Sequence, residues 1–395
     1  MRALALLLLV LLTGCDTDFR PETLVENLRL IGVSASPANL RPGESAMVSA
    51  LVLDPSRAPQ PSTVLWIGCA ADPFNLNRSP CANPDVLRDS STLSGGTGSL
   101  PEGVSIIGFG PRATYAVPAT LFDPLAADDA RRQSGTVGIT IAFAVAETVS
   151  PAAPPEELQA LFERVQRKEV KSVLALFRIA ISESMVRNEN PVVDALVVAG
   201  ERWPSGARVL VREREPVLLD VIAPDSTFEP YEVSTPEGVT QKNEKVLTAW
   251  YSTAGRFSEE RTTIGEDVKT IFTAPGSEKD PLPEGRTGTL FTVFRDTRGG
   301  QAWRTWPFFV CDDAASAPTI ERVEWPAVAT DPVVLHGASL ENVVDVVVDG
   351  AALSNGAFSP ATQTWRGFLP AGVELGVKRG VVHDTTCSRH LLPLL

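Results

Sequence analysis

A mainly β fold, built as tandem β-sandwich modules with one short helix inserted in the first, is what this sequence predicts. Three observations carry the expectation. Apolar residues alternate along runs of strand length, and Gly, Pro, Asn and Asp cluster between the runs. Only one stretch, between 155 and 165, repeats its apolar residues with helical spacing. The 395 residues, 44% hydrophobic and 21% charged, are ordinary globular values over a length that suits two to four domains.

The first element is not part of a fold. Arg2 supplies a positive start, Ala3 to Leu11 form an unbroken apolar run too short to span a bilayer, and Leu12-Thr13-Gly14-Cys15 follows. These four residues resemble the lipobox of bacterial lipoproteins. The resemblance implies cleavage after Gly14, a diacylated Cys15 as residue one of the mature protein, and a place in the cell envelope anchored to membrane lipid, periplasmic or surface-exposed. Two or three acyl chains hold where one binds only marginally, at about 0.8 kcal/mol per buried methylene. Residues 15–26, polar and carrying Pro21 and Glu22, read as a tether.

A first module is expected over 27–186. Leu28 to Val33 reads as a strand, Pro37 to Gly43 as a turn-rich connector, Val48, Ala50 and Val52 as a second strand, and Val64 to Cys69 as a third with Trp66 at its centre. A Pro-Gly turn before the second strand and a tryptophan in the third resemble the first half of an immunoglobulin-like sandwich. Ala70 to Gly103 turns to Asp, Asn, Pro, Ser and Gly and reads as a long loop. Within it, Ser94 to Ser99 is glycine-rich but lacks the Gly-Lys-Ser/Thr ending of a phosphate loop. Val137, Ile139, Ile141, Phe143 and Val145 share one strand face, as do Val173, Ala175, Phe177, Ile179 and Ile181 on another. The helix sits between them. Pro155 fits its first turn, Glu156 and Glu157 suit its positive end, and Leu158, Leu161, Phe162 and Val165 should pack on the flank of the sandwich.

Arg187 to Pro191 reads as a linker into a second module over 187–312; its Asn and Glu oxygens are too few for the calcium site of a cadherin-type junction. Val217, Leu219 and Val221 alternate, Leu247 to Tyr251 carries Trp250, Ile271 to Gly276 closes another strand, and Arg295 to Gly300 turns a hairpin between Thr289–Phe294 and Ala302–Val310. This order resembles bacterial Ig-like or PKD-like surface modules. In the third module, 313–395, Pro318 to Val323, Val333 to Leu340 and Val346 to Gly350 resemble the opening of IPT/TIG domains, with their Gly-x-x-Leu corner; the ending, around Trp365 to Pro370, departs from it.

Chemistry is sparse. The net charge of −13, one unit more negative without Arg2, and the lack of a basic cluster exclude nucleic acid as a partner. Besides Cys15 there are Cys69, Cys81, Cys311 and Cys387, an even set in an exported chain. Three disulfide connectivities are open, with Cys69–Cys81 and Cys311–Cys387 favoured as a local loop and a bracket around the last module. No C-x-x-C, His-Glu-x-x-His or Gly-x-Ser-x-Gly occurs, and the three histidines, His336, His383 and His390, all lie in the third module, so no cofactor or metal is expected. The acidic pairs Glu156-Glu157, Glu259-Glu260 and Asp312-Asp313 are read as helix-start, loop and linker charge. Trp66 and Trp250 are placed in cores, whereas Trp303 and Trp306, three apart on a strand, point to opposite faces and are the candidate binding residues, one of them accessible. The expected function is a non-enzymatic structural, adhesion or assembly role through an envelope protein partner, with carbohydrate binding as the alternative.

Overall fold

A computed structural model of the chain describes residues 21–57, 62–74, 103–235, 238–376 and 378–392. They form tandem immunoglobulin-like β-sandwiches. In the first, β1 (Arg29–Ser36), β3 (Ser45–Leu53) and β6 (Arg112–Ala116) make one sheet. The facing sheet runs in the order β2 (Asn39–Leu40), β8 (Ser172–Ile181), β7 (Thr136–Val145), β4 (Thr63–Cys69) and β5 (Val104–Phe109). Period-two alternation explains what lies between them. Val64 and Trp66 on β4, Ala142 and Ala144 on β7, and Phe177, Ile179 and Ile181 on β8 point into the shared core with Val33 and Val48. Trp66 is fully buried and donates its Nε1 hydrogen to Gly110 O at 2.9 Å, so its polar end is satisfied.

The opposite face of the second sheet is apolar too, and it needs its own cover. At one end Ile67, Cys69, Val104, Ile139 and Ile141 form a second cluster. At the other the helix lies down as expected. It is α2 (Pro155–Gln166), preceded in the chain by the one-turn α1 (Ala130–Ser134) that the sequence did not announce. Phe162 stacks on Phe143 with ring centroids 5.5 Å apart, and Leu161 joins Val145 and Val170. Gly138 makes room for the inner packing. A Cβ there would stand 2.8 Å from ring carbons of Tyr115, whose hydroxyl donates to Cys69 O at 2.8 Å.

The second sandwich pairs the sheet β10 (Glu201–Arg202), β9 (Ala195–Val198), β12 (Pro216–Ile222), β18 (Thr270–Thr273) and β16 (Arg256–Phe257) with a second sheet. That sheet holds β11 (Val209–Val211), β20 (Gln301–Val310), β19 (Thr287–Asp296), β15 (Val246–Ser252) and β17 (Arg261–Thr263). Its core contains Trp250, Phe272, Phe294 and Phe308, with the Trp250 indole donating to Thr262 Oγ1 at 3.0 Å. The β19–β20 hairpin is the one expected, with its first strand two residues longer at each end. A second hairpin, β13 (Pro230–Thr235) with β14 (Gly238–Asn243), stands apart from both sheets. The third sandwich stacks β21 (Thr319–Glu324), β22 (Val333–Ala338), β26 (Thr364–Phe368) and β25 (Ser354–Ser359) on a second sheet of four. These are β24 (Ala351–Ala352), β23 (Val343–Val348), β27 (Gly380–Asp384) and β28 (Arg389–Leu391). Trp365 lies in its core, and Trp325 packs against it.

The segment expected as a tether is described from Pro21 onward. Residues 21–26 are docked, with Thr23 3% and Val25 0% exposed, because Val25 N donates to Ser252 O at 2.7 Å and Ser252 N donates to Thr23 O at 2.9 Å. Order thus begins before Leu28. Polar composition does not preclude docking when the backbone finds a strand end to pair with. Among the described residues no helix is long and apolar enough to cross a membrane.

Candidate functional site

The sandwiches meet along seams, and two of these gather most of the buried charged groups described below. At the first seam the outer face of β1 and β3 packs on the outer face of β15, β19 and β20. Ile31, Leu51 and Leu53 meet Ala249, Tyr251, Phe291, Val293 and Trp303. Trp303 is the wedge: its indole lies 3.2 Å from where a Cβ on Gly32 would be, so a larger residue at 32 would push it away. Trp303 and Trp306 do face opposite ways, but both are half-buried, and Trp303 is used inside the chain.

A polar cluster closes the same seam where the linker crosses it. Arg187 to Pro191 is held, not free. Asn190 donates to Ala35 O at 2.7 Å and accepts from Gln301 N at 2.8 Å, while Asn188 N donates to Asn39 Oδ1 at 3.0 Å. The side chain of Asn188, 5% exposed, donates to Asp296 Oδ2 at 3.1 Å. Into this cluster projects Arg298, from the β19–β20 turn. Its guanidinium donates to Asn188 Oδ1 at 2.8 Å, to Glu229 at 2.5 Å, to Arg187 O at 3.1 Å and to Glu244. Burial pushes the carboxyls of Glu229 and Glu244 above the usual carboxylate range, although Arg298 pulls the other way. The Arg298 guanidinium therefore stands as a fixed organic cation among Glu229, Glu244 and Asp296.

At the second seam the chain supplies Trp203, 6% exposed, as a platform. The His383 ring lies 5.7 Å from it and the Arg389 guanidinium 5.3 Å from its centroid. Ser205 N donates to Gly350 O at 3.0 Å and Ala352 N to Ser205 O at 2.8 Å, which joins the second and third modules by main chain. Arg208 grips Asp345 through its backbone N at 2.6 Å and a guanidinium N at 2.8 Å. Burial still raises the Asp345 carboxyl. The Cys311–Cys387 disulfide, with Cα atoms 5.5 Å apart, closes this seam and bears out that expected pairing. Cys69 is also disulfide-bonded; Cys81 lies outside the described residues, as do Cys15 and the glycine-rich Ser94 to Ser99.

Beside this seam opens a cleft of about 660 Å³ lined by Asp194, Arg202, Trp203, Arg304, Trp306 and Asp349. Trp306 holds its place by donating Nε1 to Thr292 Oγ1 at 3.1 Å, and Arg304 reaches Val193 O at 3.5 Å. A half-buried indole flanked by two guanidiniums suits a ligand with an apolar face and polar or acidic edges. Of these residues only Trp306 was expected from sequence. Arg304 sits a hundred residues from the adjacent pair Arg202-Trp203, and nothing local marks it as their neighbour.

His336 and His390 are committed to carboxylates. His390 Nε2 lies 2.7 Å from Asp384 Oδ2, and His336 Nε2 lies 3.0 Å from Glu324. Burial opposes the charge on Asp384, yet hydrogen bonds from His390, Thr386 and Ser388 outweigh it and hold its carboxyl below the usual range. His383 points away from this pair into the seam, so the three do not converge. Among the described residues no group of three His, Cys, Asp or Glu side chains could hold a metal.

His383 makes the second seam sensitive to acid. Burial, with Arg389 adding to it, lowers the imidazole pKa from 6.5 to about 4. The unfolded chain then binds the proton first as pH falls, so this stability is complete above pH 6.5 and is lost progressively down to about pH 4, roughly 3 kcal/mol in all. The expected result is that His383→Gln flattens the fall in unfolding free energy over that window in urea titrations. Equal pH slopes for the two proteins would refute the assignment.

No protein-family model matches this chain, and no curated protein matches it. Among solved structures it is similar to SGBP-B of the Bacteroides ovatus mixed-linkage glucan utilization locus, in complex with a mixed-linkage heptasaccharide, at 16% identity over 52% of this chain, with a TM-score of 0.17. The match spans 47% of that protein, about half its length. It is similar to extracellular domains 3–5 of Drosophila OTK at 12% identity, covering 94% of this chain and 97% of that one, with a TM-score of 0.17. A Ca²⁺-stabilized adhesin with which an Antarctic bacterium binds ice is 12% identical over 94% of this chain and 72% of that one, with a TM-score of 0.20. At TM-scores of 0.20 or below these similarities assign neither ligand nor role to this chain.

Proposed function

We propose that this chain is a bacterial envelope lipoprotein, held to a membrane by lipid on Cys15, that serves as a rigid non-enzymatic scaffold or adhesion component for an envelope protein partner. The reading divides the mature chain near 187 and 313. The observation that carries it is the locking of both seams, by the Trp303 wedge and the Arg298 cluster at one and the Cys311–Cys387 bridge at the other. Fixed geometry between modules is what a scaffold needs, because relative motion is the default for modules joined by small polar interfaces. The IPT/TIG resemblance of the third module is supported at Gly337, where any Cβ would run into Thr319 O, so the Gly-x-x-Leu corner requires glycine. Affinity capture from detergent-solubilised envelopes, with Cys15→Ala as control, tests the proposal. One envelope protein recovered repeatedly with the lipidated form is the expected result; none recovered would remove the scaffold reading.

A second reading, glycan binding, is favoured by the cleft at Trp306. On a glycan array it expects at least tenfold weaker binding after Trp306→Ala, about 1.4 kcal/mol.

A further inference from the structure

We infer that the lipid anchor enters at one end of the seam between the first two modules, so that this end faces the membrane and the end carrying the β13–β14 hairpin faces away from it. The inference rests on lipidation of Cys15 and adds an orientation to it. The segment that leads from Cys15 does not reach the tip of the first sandwich and stop there. It crosses to the second: Leu24 bridges Ser252 in parallel fashion, and both main-chain bonds between Thr23, Val25 and Ser252 are made. Arg29 also donates to Glu22 O. Glu22 and Thr23 line a cleft of about 420 Å³ together with Arg29, Tyr251 and Arg261, residues of both modules.

Strand direction then fixes which end this is. Ser252 is the last residue of β15 and Arg29 the first of β1, whereas the linker through Asn188 and Asn190 binds Ala35, Asn39 and Gln301, at the other end of β1 and at the β19–β20 turn. Segment and linker therefore sit at opposite ends of one seam, separated by the eight residues of β1, about 26 Å. Arg298 ties the β13–β14 hairpin to the linker end through Glu229, which precedes β13, and Glu244, which follows β14. From Cys15 to Pro21 the chain can extend at most about 22 Å, by backbone dimensions alone. A lipid surface attached at Cys15 must lie within that reach of the Ser252 end. Because the seam, at about 26 Å, is longer than that reach, the hairpin end cannot stand on the membrane with the Ser252 end upright above it.

The lipidated protein in phosphatidylethanolamine/phosphatidylglycerol vesicles, carrying a fluorescent amino acid at Asn27 or at Gln241, both exposed, allows a direct test. Energy transfer to a headgroup-labelled acceptor is expected to be at least twofold more efficient from position 27 than from position 241. A spacer of twenty Gly/Ser residues between Arg20 and Pro21 should reduce that ratio toward one without altering the fold. Vesicle binding with equal or reversed transfer would overturn the orientation alone. Failure to bind vesicles, with an N-terminal mass lacking acyl chains, would overturn lipidation and the orientation together.

Discussion

Arg298→Met is expected to lower stability by about 3 kcal/mol and to do so more at pH 8 than at pH 5. Methionine keeps the length of the stem and removes the cation that pairs with Glu229 and Glu244 beside Asp296, at the seam, with the Glu244 side chain 1% exposed. Removing one partner of a buried ion pair typically costs 3–5 kcal/mol, since the remaining charge stays desolvated and unpaired. The low end applies because Arg298 is 17% and Glu229 22% exposed, so water screens part of the loss. The pH dependence has a definite sign. Burial already raises Glu244 and Glu229 in the native protein, and without Arg298 they rise further. A carboxyl with a raised native pKa binds protons more tightly folded than unfolded, so the variant gains stability as pH falls and its deficit deepens as pH rises above the unfolded value near 4.3. Calorimetry at the two pH values reads this directly, with an expected drop of several degrees in the transition of the first two modules at pH 8. Arg298→Lys should recover part of it, because an ammonium restores charge but cannot bridge Asn188, Glu229 and Glu244 at once. A variant that melts with the wild type at both pH values would show that the cluster is decoration.

The seams mark the boundary of what could be read from sequence. Within a module, alternation sufficed: Trp66 and Trp250 are in cores, α2 lies on the flank, and the β19–β20 hairpin turns where Asp and paired glycines require it. Those features are local, set by the period of a strand or the chemistry of a turn. The β13–β14 hairpin escaped because Tyr231-Glu232 and Gln241-Lys242-Asn243 show no apolar face to alternate. In the linker and in residues 21–26 polar composition does not mean solvation, because backbone and amide groups there are spent on strand ends. Trp303 displays the limit most clearly. Its direction was legible from its spacing to Trp306, but what it faces is another module, and no sequence period encodes that. Of the cleft, the adjacent Arg202 and Trp203 and the distant Arg304 come from two separate segments brought together only by the way the sheets close.

Loss of the Cys311–Cys387 bridge is expected to lower the unfolding transition of the third module by at least 15 °C and to leave the first almost unmoved. The bond spans 76 residues, nearly all of them the third sandwich, and closing a loop of that length removes about 4 kcal/mol of conformational entropy from the unfolded chain. A module of this size shifts by about 4–8 °C per kcal/mol. The bridge also sits in a seam whose other ties are local to it: Cys311 N donates to Val211 O at 2.8 Å, Asp312 N to Thr385 O at 2.6 Å, Arg286 to Cys311 O, and Arg212 to Asp313. With the cross-link gone these bonds remain but can open together, so the second module should soften at β11 and at the end of β20 before it melts. The substitution must not add strain of its own. Cys387 lies at φ 65°, in the left-handed region, so Cys311→Ala with Cys387→Gly removes the bond while relieving that residue, and any loss then belongs to the cross-link. Calorimetry of the double variant, and of the native protein with and without reductant, should give coincident third-module transitions for the variant and the reduced wild type. If reduction moves that transition by less than about 3 °C, the third module is held by Trp203, Arg208 and the paired main chain at Ser205 instead, and the disulfide is a passenger of the seam.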